Sequence, residues 1–295
     1  MNKTDSCFLA IDKPQGISSF EVIRRLRKIT GIRKIGHTGT LDPFATGLLI
    51  CCIGSYTRLA SLVEAQDKVY QARVQLGIKT STGDPEGEVV ETAPVNLDGI
   101  DWSDLEQQAL QLKELPIPAY SAVKVNGKRA YSLARQGEIP ALPPRAVQIS
   151  QFEFIHGENG EILDQDMRIS YRCCVSKGTY IRSLSEWIAA RLGTVGSSIE
   201  LRRVSVGNIT ISSGENLERF TGDTWRSYQL DPCKVLGQLP VLEVDELQLT
   251  AIEHGIDLPW PEEMPEGKVA VYHQARLLAI GEKNLDKLHP HIVLI

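Results

Sequence analysis

A carboxylate lies in the middle of a glycine-rich segment of this sequence. Asp42 is flanked by Gly36, Gly39 and Gly47, and a backbone containing glycine can approach a ligand closely because glycine has no side chain. Pro43 follows directly and favours an extended backbone at the aspartate. A carboxylate held in this way could act as a nucleophile. An Asp-Pro pair in a glycine-rich loop is also an ordinary turn, so these residues alone leave both interpretations open.

Other signatures of catalysis are missing from the sequence. It contains no G-x-S-x-G nucleophile elbow, no G-x-x-x-x-G-K-[ST] phosphate loop, no G-x-G-x-x-G fingerprint and no H-E-x-x-H zinc motif. The six cysteines include no C-x-x-C, and the neighbours in Cys51–Cys52 and Cys173–Cys174 would point to opposite faces of a strand. We therefore expect buried, reduced thiols. The sequence predicts neither a metal ion nor a cofactor.

The bulk composition is that of an ordinary globular protein. Of 295 residues, 42% are hydrophobic and 23% are charged, which suits one large domain or two unequal ones. The sequence has no run of about 18 apolar residues, so a membrane span is not expected. Residues 1–12 do not read as a secretory signal, which predicts a cytoplasmic location.

The charge is unevenly distributed along the chain. The net charge of −5 argues against nucleic acid, but residues 212–295 hold 7 Lys/Arg and 14 Asp/Glu, which leaves residues 1–211 with 25 and 23. A local patch, rather than the total, decides contact with phosphates. The cations of the larger part form three groups: Arg24, Arg25, Arg27, Lys28, Arg33 and Lys34; Lys124, Lys128, Arg129, Arg135 and Arg145; and Lys177, Arg182, Arg191, Arg202 and Arg203.

The hydrophobic pattern predicts an α+β fold in which a mixed sheet is combined with helices. A helix is expected to begin at the capping pair Ser18 and Glu21 and to end at Gly31. Further helices are expected over Asp101–Lys113 and Tyr180–Leu192. Strands are expected at Cys7–Ile11, Leu48–Ile53, Val69–Leu76, 146–155, 165–175 and Ser198–Ile211.

Two predicted domains follow from shifts in composition. Residues 1–230 form the larger one, with a polar, basic and then proline-rich insertion at about 118–146 that carries a hairpin signal at Asn126-Gly127. Residues 235–295 form a small β-rich module with strands at Lys268–Tyr272 and Arg276–Ile280.

The segment around Asp42 resembles the signature of a known family. Gly36–Leu49 matches every fixed position of G-H-T-G-x-L-D-P-x-A-x-G-x-L, the signature of the TruB family of tRNA pseudouridine synthases. Five further stretches resemble motifs of that family and follow in its order, namely Asp12–Gly16, Lys68–Tyr70, Pro118–Arg135, Ser176–Leu184 and Leu201–Gly207. The resemblance implies a pseudouridine synthase catalytic domain whose insertion grips RNA. The C-terminal module weakly resembles the PUA-like RNA-binding domain of relatives.

This resemblance assigns three catalytic residues. Asp42 is expected to be the catalytic carboxylate, and Arg182 is expected to pair with it inside the pocket rather than lie on the surface of a helix. Tyr70 is expected to stack on the flipped uracil, and a role as the base for the C5 proton is left open, as is packing across the strands of a sheet.

Four more residues are expected to bind the substrate. His37 would occupy the space left by the flipped nucleotide, from a loop position. Tyr180 and Leu201 would contact the base as walls of the pocket, although core packing is an alternative for both. Lys13 would support Tyr70 and the electrostatics of the site.

The resemblance implies that the chain isomerises uridine 55 in the T-loop of tRNA. The N1–C1′ bond breaks, the base rotates and C5 becomes bonded to C1′, with no redox change and no external group, so no cofactor is required. Attack of Asp42 on C6, attack on C1′ and a glycal route remain alternatives. The target must be flipped out of its stack.

Two other functions are kept as alternatives. One is a guide-RNA-dependent enzyme that modifies ribosomal RNA, against which the insertion argues, since that type replaces it with partner proteins. The other is a non-catalytic RNA-binding protein or tRNA chaperone, against which the combination of Asp42, Tyr70 and Arg182 argues. We expect a monomer that needs tRNA, but no membrane, guide RNA or protein partner.

Overall fold

The computed structural model describes residues 6–121, 123–125, 127–134, 136–138, 140, 142–157 and 160–294. Asn126 of the expected hairpin and Arg135 of the second basic group lie outside these ranges. The helices are α1 (Ser19–Thr30), α2 (Ala60–Glu64), α3 (Trp102–Gln111), α4 (Ala130–Ala134), α5 (Ile181–Arg191), α6 (Pro232–Val235) and α7 (Glu246–Glu253).

The strands of the first half of the chain are β1 (Cys7–Lys13), β2 (Ile35–His37), β3 (Thr46–Ile53), β4 (Lys68–Leu76), β5 (Ile78–Thr80), β6 (Val89–Thr92), β7 (Glu114–Leu115), β8 (Lys124–Val125) and β9 (Lys128–Arg129). Those of the second half are β10 (Arg145–Ala146), β11 (Ile149–Phe154), β12 (Arg168–Val175), β13 (Gly196–Val206), β14 (Ile209–Thr210), β15 (Glu215–Asn216), β16 (Gln229–Leu230), β17 (Val241–Glu243), β18 (Leu258–Pro259), β19 (Lys268–His273), β20 (Arg276–Asn284) and β21 (Lys287–Val293).

The largest sheet carries the residues of the candidate site. Among the described residues it has ten strands in the order β11-β12-β4-β13-β3-β1-β15, with β2 beside β3, β14 beside β13 and β16 beside β1. The pairs β13–β3 and β1–β15 are parallel, whereas β1–β3, β12–β4 and β13–β4 are antiparallel. A mixed sheet combined with helices confirms the predicted α+β fold.

Strand β3 is buried on both faces of this sheet. Leu49 and Cys51 pack into the core that the sheet shares with α1, α3 and α5, while Leu48 and Cys52 face a second core on the opposite side. Burial on both faces explains why the strand reads as a continuous apolar run. The two neighbouring cysteines point to opposite faces, as predicted.

Helix α1 begins and ends where the sequence predicts. The Ser18 side chain accepts a hydrogen bond from the backbone N–H of Glu21 (3.1 Å), and Gly31 ends the helix with a left-handed φ of 72°. Instead of closing the capping box, the Glu21 carboxylate accepts hydrogen bonds from Arg24 and Arg25. Part of the positive charge on the outer face of α1 is therefore neutralised within the helix.

The C-terminal strands form a second sheet of the order β17-β19-β20-β21-β18. Ile252 of α7 packs with Val269 and Leu278 in its own small core. On its other face, Tyr272 and Ile280 pack against the back of the large sheet. This β-rich region matches the strands expected there, while its PUA-like character and the domain limits at 230 and 235 stay predictions.

Two details differ from the sequence-based expectations. The strand expected over Ser198–Ile211 is a hairpin, because β13 ends at Val206, Gly207 turns the chain with a φ of 51° and β14 returns alongside. None of the six cysteines, all of which are described, forms a disulfide, but Cys174 is half-buried and Cys233 is exposed, so not all of them are buried thiols.

Candidate active site

The start of α1 holds the loop that carries Asp42. The buried hydroxyl of Ser19 donates to the Leu41 carbonyl (3.1 Å) and accepts from the Leu41 N–H (2.8 Å). On the other side of the aspartate, the Gly16 N–H donates to the Pro43 carbonyl at 2.8 Å. Because these backbone groups are satisfied by fixed partners, the loop is anchored on both sides of Asp42.

Arg182, near the start of α5, pairs with Asp42. Its Nε donates to Oδ2 of Asp42 at 2.9 Å and its Nη2 donates to Oδ1 at 3.4 Å. Only 4% of the Arg182 side chain is exposed, against 33% for Asp42. The expected pairing is confirmed and the surface alternative for Arg182 is wrong. A substrate can therefore reach the carboxylate but not the guanidinium behind it.

The remaining donors of Arg182 are also occupied. Nη1 donates to the Thr82 carbonyl (2.7 Å) and Nη2 to the Tyr120 carbonyl (2.9 Å). A second buried carboxylate, Asp84, lies 3.6 Å from Nη1. With two carboxylates and two carbonyls around it, the guanidinium has one fixed orientation and holds Asp42 in place.

Opposing influences act on the ionisation of Asp42. Burial raises the pKa of its carboxyl group above the ordinary value, the positive charge of Arg182 opposes that rise, and the negative charge of Asp84 adds to it. Burial and Asp84 therefore disfavour the anionic form of Asp42. The bound guanidinium favours that form, which is the one a nucleophile needs.

Tyr70 and Leu201 lie on neighbouring strands at the same core. Both are buried, with 8% and 7% of their surfaces exposed, and they belong to one cluster with Leu41. Arg203, two residues after Leu201 on β13, donates to the Tyr70 hydroxyl at 3.4 Å. It also donates to the carbonyls of Gly39 (3.1 Å) and Leu48 (2.7 Å). Arg203 thus connects Tyr70 with the loop of Asp42.

The sequence of this chain matches a known protein family and several of its members. Residues 27–181 match the model of the TruB family pseudouridylate synthase N-terminal domain. A tRNA pseudouridine synthase B of Oenococcus oeni is 34% identical and covers 97% of this chain and 96% of its own. One of Syntrophobacter fumaroxidans is 36% identical over 88% and 85%. One of Leifsonia xyli is 42% identical over 74% and 72%.

The chain belongs to the TruB family. Solved structures share its fold at lower identity. A chain of a Cbf5–Nop10–Gar1 complex is 21% identical with a TM-score of 0.71, covering 100% of this chain and 86% of its own. A chain of an H/ACA RNP bound to a substrate RNA containing 2′-deoxyuridine is also 21% identical, with a TM-score of 0.69, 98% of this chain covered and 85% of its own.

Two TruB-family expectations need correction. His37 lies at the end of β2, half-buried, rather than in a loop. Burial and the charge of Arg203 lower the pKa of its imidazole, and the Gly39 N–H donates to Nδ1 at 3.4 Å, so the neutral ring has its proton on Nε2. Lys13 donates to the backbone carbonyls of Pro14, Ile17 and Pro43, and Tyr70 is bound by Arg203 instead.

The charges of Lys13 and Asp42 nevertheless influence each other. It is fully buried, and its Nζ donates to the carbonyls of Ile17 (2.7 Å) and Pro43 (3.3 Å). Burial lowers the pKa of its amine to about 8, against the opposing influence of Asp42. The amine thus stabilises both the backbone and the charge of the catalytic loop.

Tyr180 and the insertion lie at the entrance to α5. Tyr180 is half-buried at the N-terminal cap of the helix, two residues before Arg182. At the base of the insertion, the Tyr120 carbonyl accepts a hydrogen bond from Arg182. The Arg145 guanidinium lies against Gly178, where an added Cβ would be 2.4 Å from the Arg145 Cζ. The hairpin expected in the insertion is present, with Val125 paired to Lys128.

Three residues of the site were missed by sequence reasoning. Arg203 was placed in a basic group and within the stretch Leu201–Gly207, while Asp84 and Ser19 were given no role in the site. A signal existed for Arg203, because residues two apart on a strand share a face and Leu201 was already expected to line the pocket. Asp84 and Ser19 gave no such signal, since their partners are distant in sequence.

The third basic group is only partly on the surface, because Lys177 and Arg191 are exposed but two other members are buried. Arg182 and Arg203 are buried, and Arg202 pairs with Asp12 at 2.7 Å. Within the described parts of the chain, no group of three or more His, Cys, Asp or Glu side chains could hold a metal ion. None of the described helices is long and apolar enough to cross a membrane.

Proposed function

We propose that this protein isomerises uridine 55 in the T-loop of tRNA to pseudouridine, as a stand-alone monomer without a cofactor. The proposal rests on the Asp42–Arg182 pair, in which the guanidinium is buried and the carboxylate is partly exposed. It occurs in a chain of the TruB family whose relatives are named tRNA pseudouridine synthase B.

Asp42 is the catalytic carboxylate in this proposal. Its open edge faces the substrate, while Arg182 orients it and opposes the rise in its pKa that burial causes. Breaking N1–C1′ and joining C5 to C1′ is an internal rearrangement, so the pocket must hold the detached uracil and exclude water. Tyr70 and Leu201 supply an aromatic and an aliphatic surface for that purpose.

The Tyr70 hydroxyl has a defined hydrogen-bonding role. A guanidinium can only donate, so the phenol oxygen accepts from Arg203 and its own proton points elsewhere. That proton is available to a uracil carbonyl, and the ring is available for stacking on the base. Tyr180 forms a further wall, and the Nε2–H of His37 can bind the RNA where the nucleotide has left its stack.

The first two basic groups supply the phosphate contacts. Arg33, Lys34, Lys124 and Lys128 are exposed, and the insertion that holds the last two contacts Arg182 through the Tyr120 carbonyl. A guide-RNA-dependent enzyme is the alternative. The insertion and the names of the relatives favour the stand-alone type, and the solved neighbours at 21% identity are similar in fold.

The test uses the purified full chain and a synthetic T-arm stem-loop in EDTA. We expect pseudouridine at position 55, mapped by chemical labelling, with no added RNA or protein. Asp42→Asn is the matched control, because the amide keeps the shape of the carboxylate and removes the nucleophile. It should fold and bind the stem-loop but form no product. Product from Asp42→Asn at the wild-type rate, or product only after guide RNA is added, would overturn the proposal.

A further inference from the structure

We propose that Phe20 is a stacking platform for an RNA base next to the flipped uridine, at the rim of the active site. This inference rests on the proposed function, because it takes the substrate to be RNA. It adds a binding contact outside the pocket that holds the uracil. The partner is defined by its chemistry: an unstacked base with phosphates on one side of it.

The first observation is the position of Phe20. It follows Ser19, whose side chain is bonded to Leu41, the residue before Asp42. Gly16, four residues earlier, is bonded to Pro43, the residue after Asp42. The first turn of α1 is therefore fixed against the loop that carries Asp42, and Phe20 belongs to that turn.

The second observation is exposure. The Phe20 side chain is 63% exposed, while its helix neighbours Ser19, Val22 and Ile23 are buried. A single exposed apolar residue is common on protein surfaces and needs no explanation by itself. What distinguishes Phe20 is the set of charges around it.

The third observation is the row of cations on the same face of α1. Residues four, seven and eight positions after Phe20 share its side of the helix, and they are Arg24, Arg27 and Lys28, all exposed. The Arg27 guanidinium lies 5.9 Å from the centroid of the Phe20 ring. The exposed face of α1 is thus an aromatic ring followed by positive charge.

The acid on this helix neutralises only part of that row. Glu21 forms ion pairs with Arg24 and Arg25. Among the described residues, no carboxylate lies within ion-pair distance of Arg27 or Lys28, nor of Arg33 just beyond the helix. Positive charge beside the ring therefore remains available to phosphates, which are the complementary charge.

Stacking gives this surface a reason to bind RNA in particular. A base whose neighbour has been flipped into the pocket loses one stacking partner, and an exposed aromatic ring beside the pocket replaces it. The cations from Arg27 onwards then follow the backbone on the same side. A protein partner of acidic character could also pair with these charges, and the abasic and Phe20→Leu experiments below separate that case from base stacking.

The experiment measures Kd and KM for a T-arm stem-loop with the full chain. Phe20→Ala should weaken binding roughly tenfold, as is typical of one base stacked on an aromatic side chain. Phe20→Trp should bind as well as wild type or better, and Phe20→Leu should bind like Phe20→Ala because it keeps apolar surface without a ring. The effect should appear in KM rather than in kcat, because Phe20 lies outside the uracil pocket.

Matched controls make the result specific. Leu247, 85% exposed on α7, is an exposed apolar residue without a cation row, and Leu247→Ala should leave Kd unchanged. An abasic substitution walked along the loop should weaken wild-type binding at one nucleotide next to the target. The same substitution should have no further effect on Phe20→Ala, since that variant has no ring on which the base could stack.

The outcomes separate this inference from the proposed function. If wild type forms no pseudouridine on the stem-loop, the proposed function fails. If wild type is active and Phe20→Ala binds equally well, only the stacking inference fails. It also fails if Phe20→Leu binds like wild type, because apolar contact would then be sufficient. It fails as well if every abasic substitution weakens the binding of Phe20→Ala as much as that of wild type.

Discussion

At the residue scale, the site is a network of buried charge rather than one carboxylate. Asp42 is the only member with a substantial open surface, and Arg182, Asp84 and Lys13 lie behind it. Charge this deep is stable only when each group has partners. Arg182 has four such partners. A substitution of Arg182 should therefore impair catalysis more than it impairs RNA binding.

We expect Arg182→Met to reduce kcat by about 100-fold or more, since removing one partner of a buried pair leaves the other uncompensated. The Kd for the stem-loop should change little, because a side chain that is 4% exposed cannot contact phosphate. Arg33→Met, at an exposed cation, should do the reverse. A thermal unfolding scan checks that both variants fold. A loss in Kd as large as the loss in kcat would show Arg182 to be a phosphate contact.

The pH dependence of kcat should reveal the effect of the Asp84 charge on the ionisation of Asp42. In the proposed function Asp42 acts as a carboxylate, so activity should fall as the pH drops through the pKa of that carboxyl group. Because the negative charge of Asp84 raises that pKa, Asp84→Asn should move the acid limb of the profile to lower pH. The amide keeps the oxygen that accepts from the Glu86 N–H. Asp98→Asn, at an exposed acid, is the control. An acid limb that stays in place or moves upward contradicts the assignment.

At the element scale, the sequence predicted which segments form strands and helices better than how they meet. The alternation of Lys68–Leu76 and the double burial of Leu48–Ile53 are local patterns, and both strands are present. The hydrogen bond between Ser19 and Leu41 joins positions 22 residues apart, and the ion pair between Arg182 and Asp42 joins positions 140 apart. No periodicity encodes such contacts, so the pair was predicted from the family motif alone and the serine was missed.

Two neighbouring serines at the start of α1 separate a long-range contact from a local one, since Ser19 anchors the loop of Asp42 and Ser18 caps the helix. Ser19→Ala removes both hydrogen bonds to Leu41 and leaves two buried backbone groups unsatisfied, which should lower the free energy of unfolding by about 1–3 kcal/mol. It should also lower kcat, since the loop of Asp42 loses an anchor. Ser18→Ala removes only the helix cap, which should lower stability by about 1 kcal/mol while kcat stays at the wild-type value. Urea unfolding and single-turnover rates measure both quantities. Equal kcat in the two variants would mean that Ser19 has no part in holding the loop.

At the scale of the whole molecule, a protein of net charge −5 has to bind a polyanion. The charges are segregated along the sequence, with the acidic excess in residues 212–295 and groups of exposed cations in residues 24–34 and 124–129. The fold keeps the C-terminal sheet against the back of the large sheet, through Tyr272 and Ile280, while α1 and the insertion adjoin the catalytic loop. RNA is thus attracted to one part of a molecule that repels it elsewhere.

The salt dependence of stem-loop binding tests this segregation. Each phosphate neutralised should contribute about −0.7 to −0.9 to the slope of log K against log salt concentration. Arg33→Ala combined with Lys34→Ala should make the slope shallower by about that amount for every phosphate that the variant no longer neutralises, because both side chains are exposed shortly before the Asp42 segment in sequence. Lys287→Ala removes an equally exposed cation from the acidic C-terminal sheet and should leave the slope unchanged. If Lys287→Ala flattens the slope as much as the double substitution, the C-terminal sheet contacts RNA despite its charge, and binding is not confined to the face of the active site.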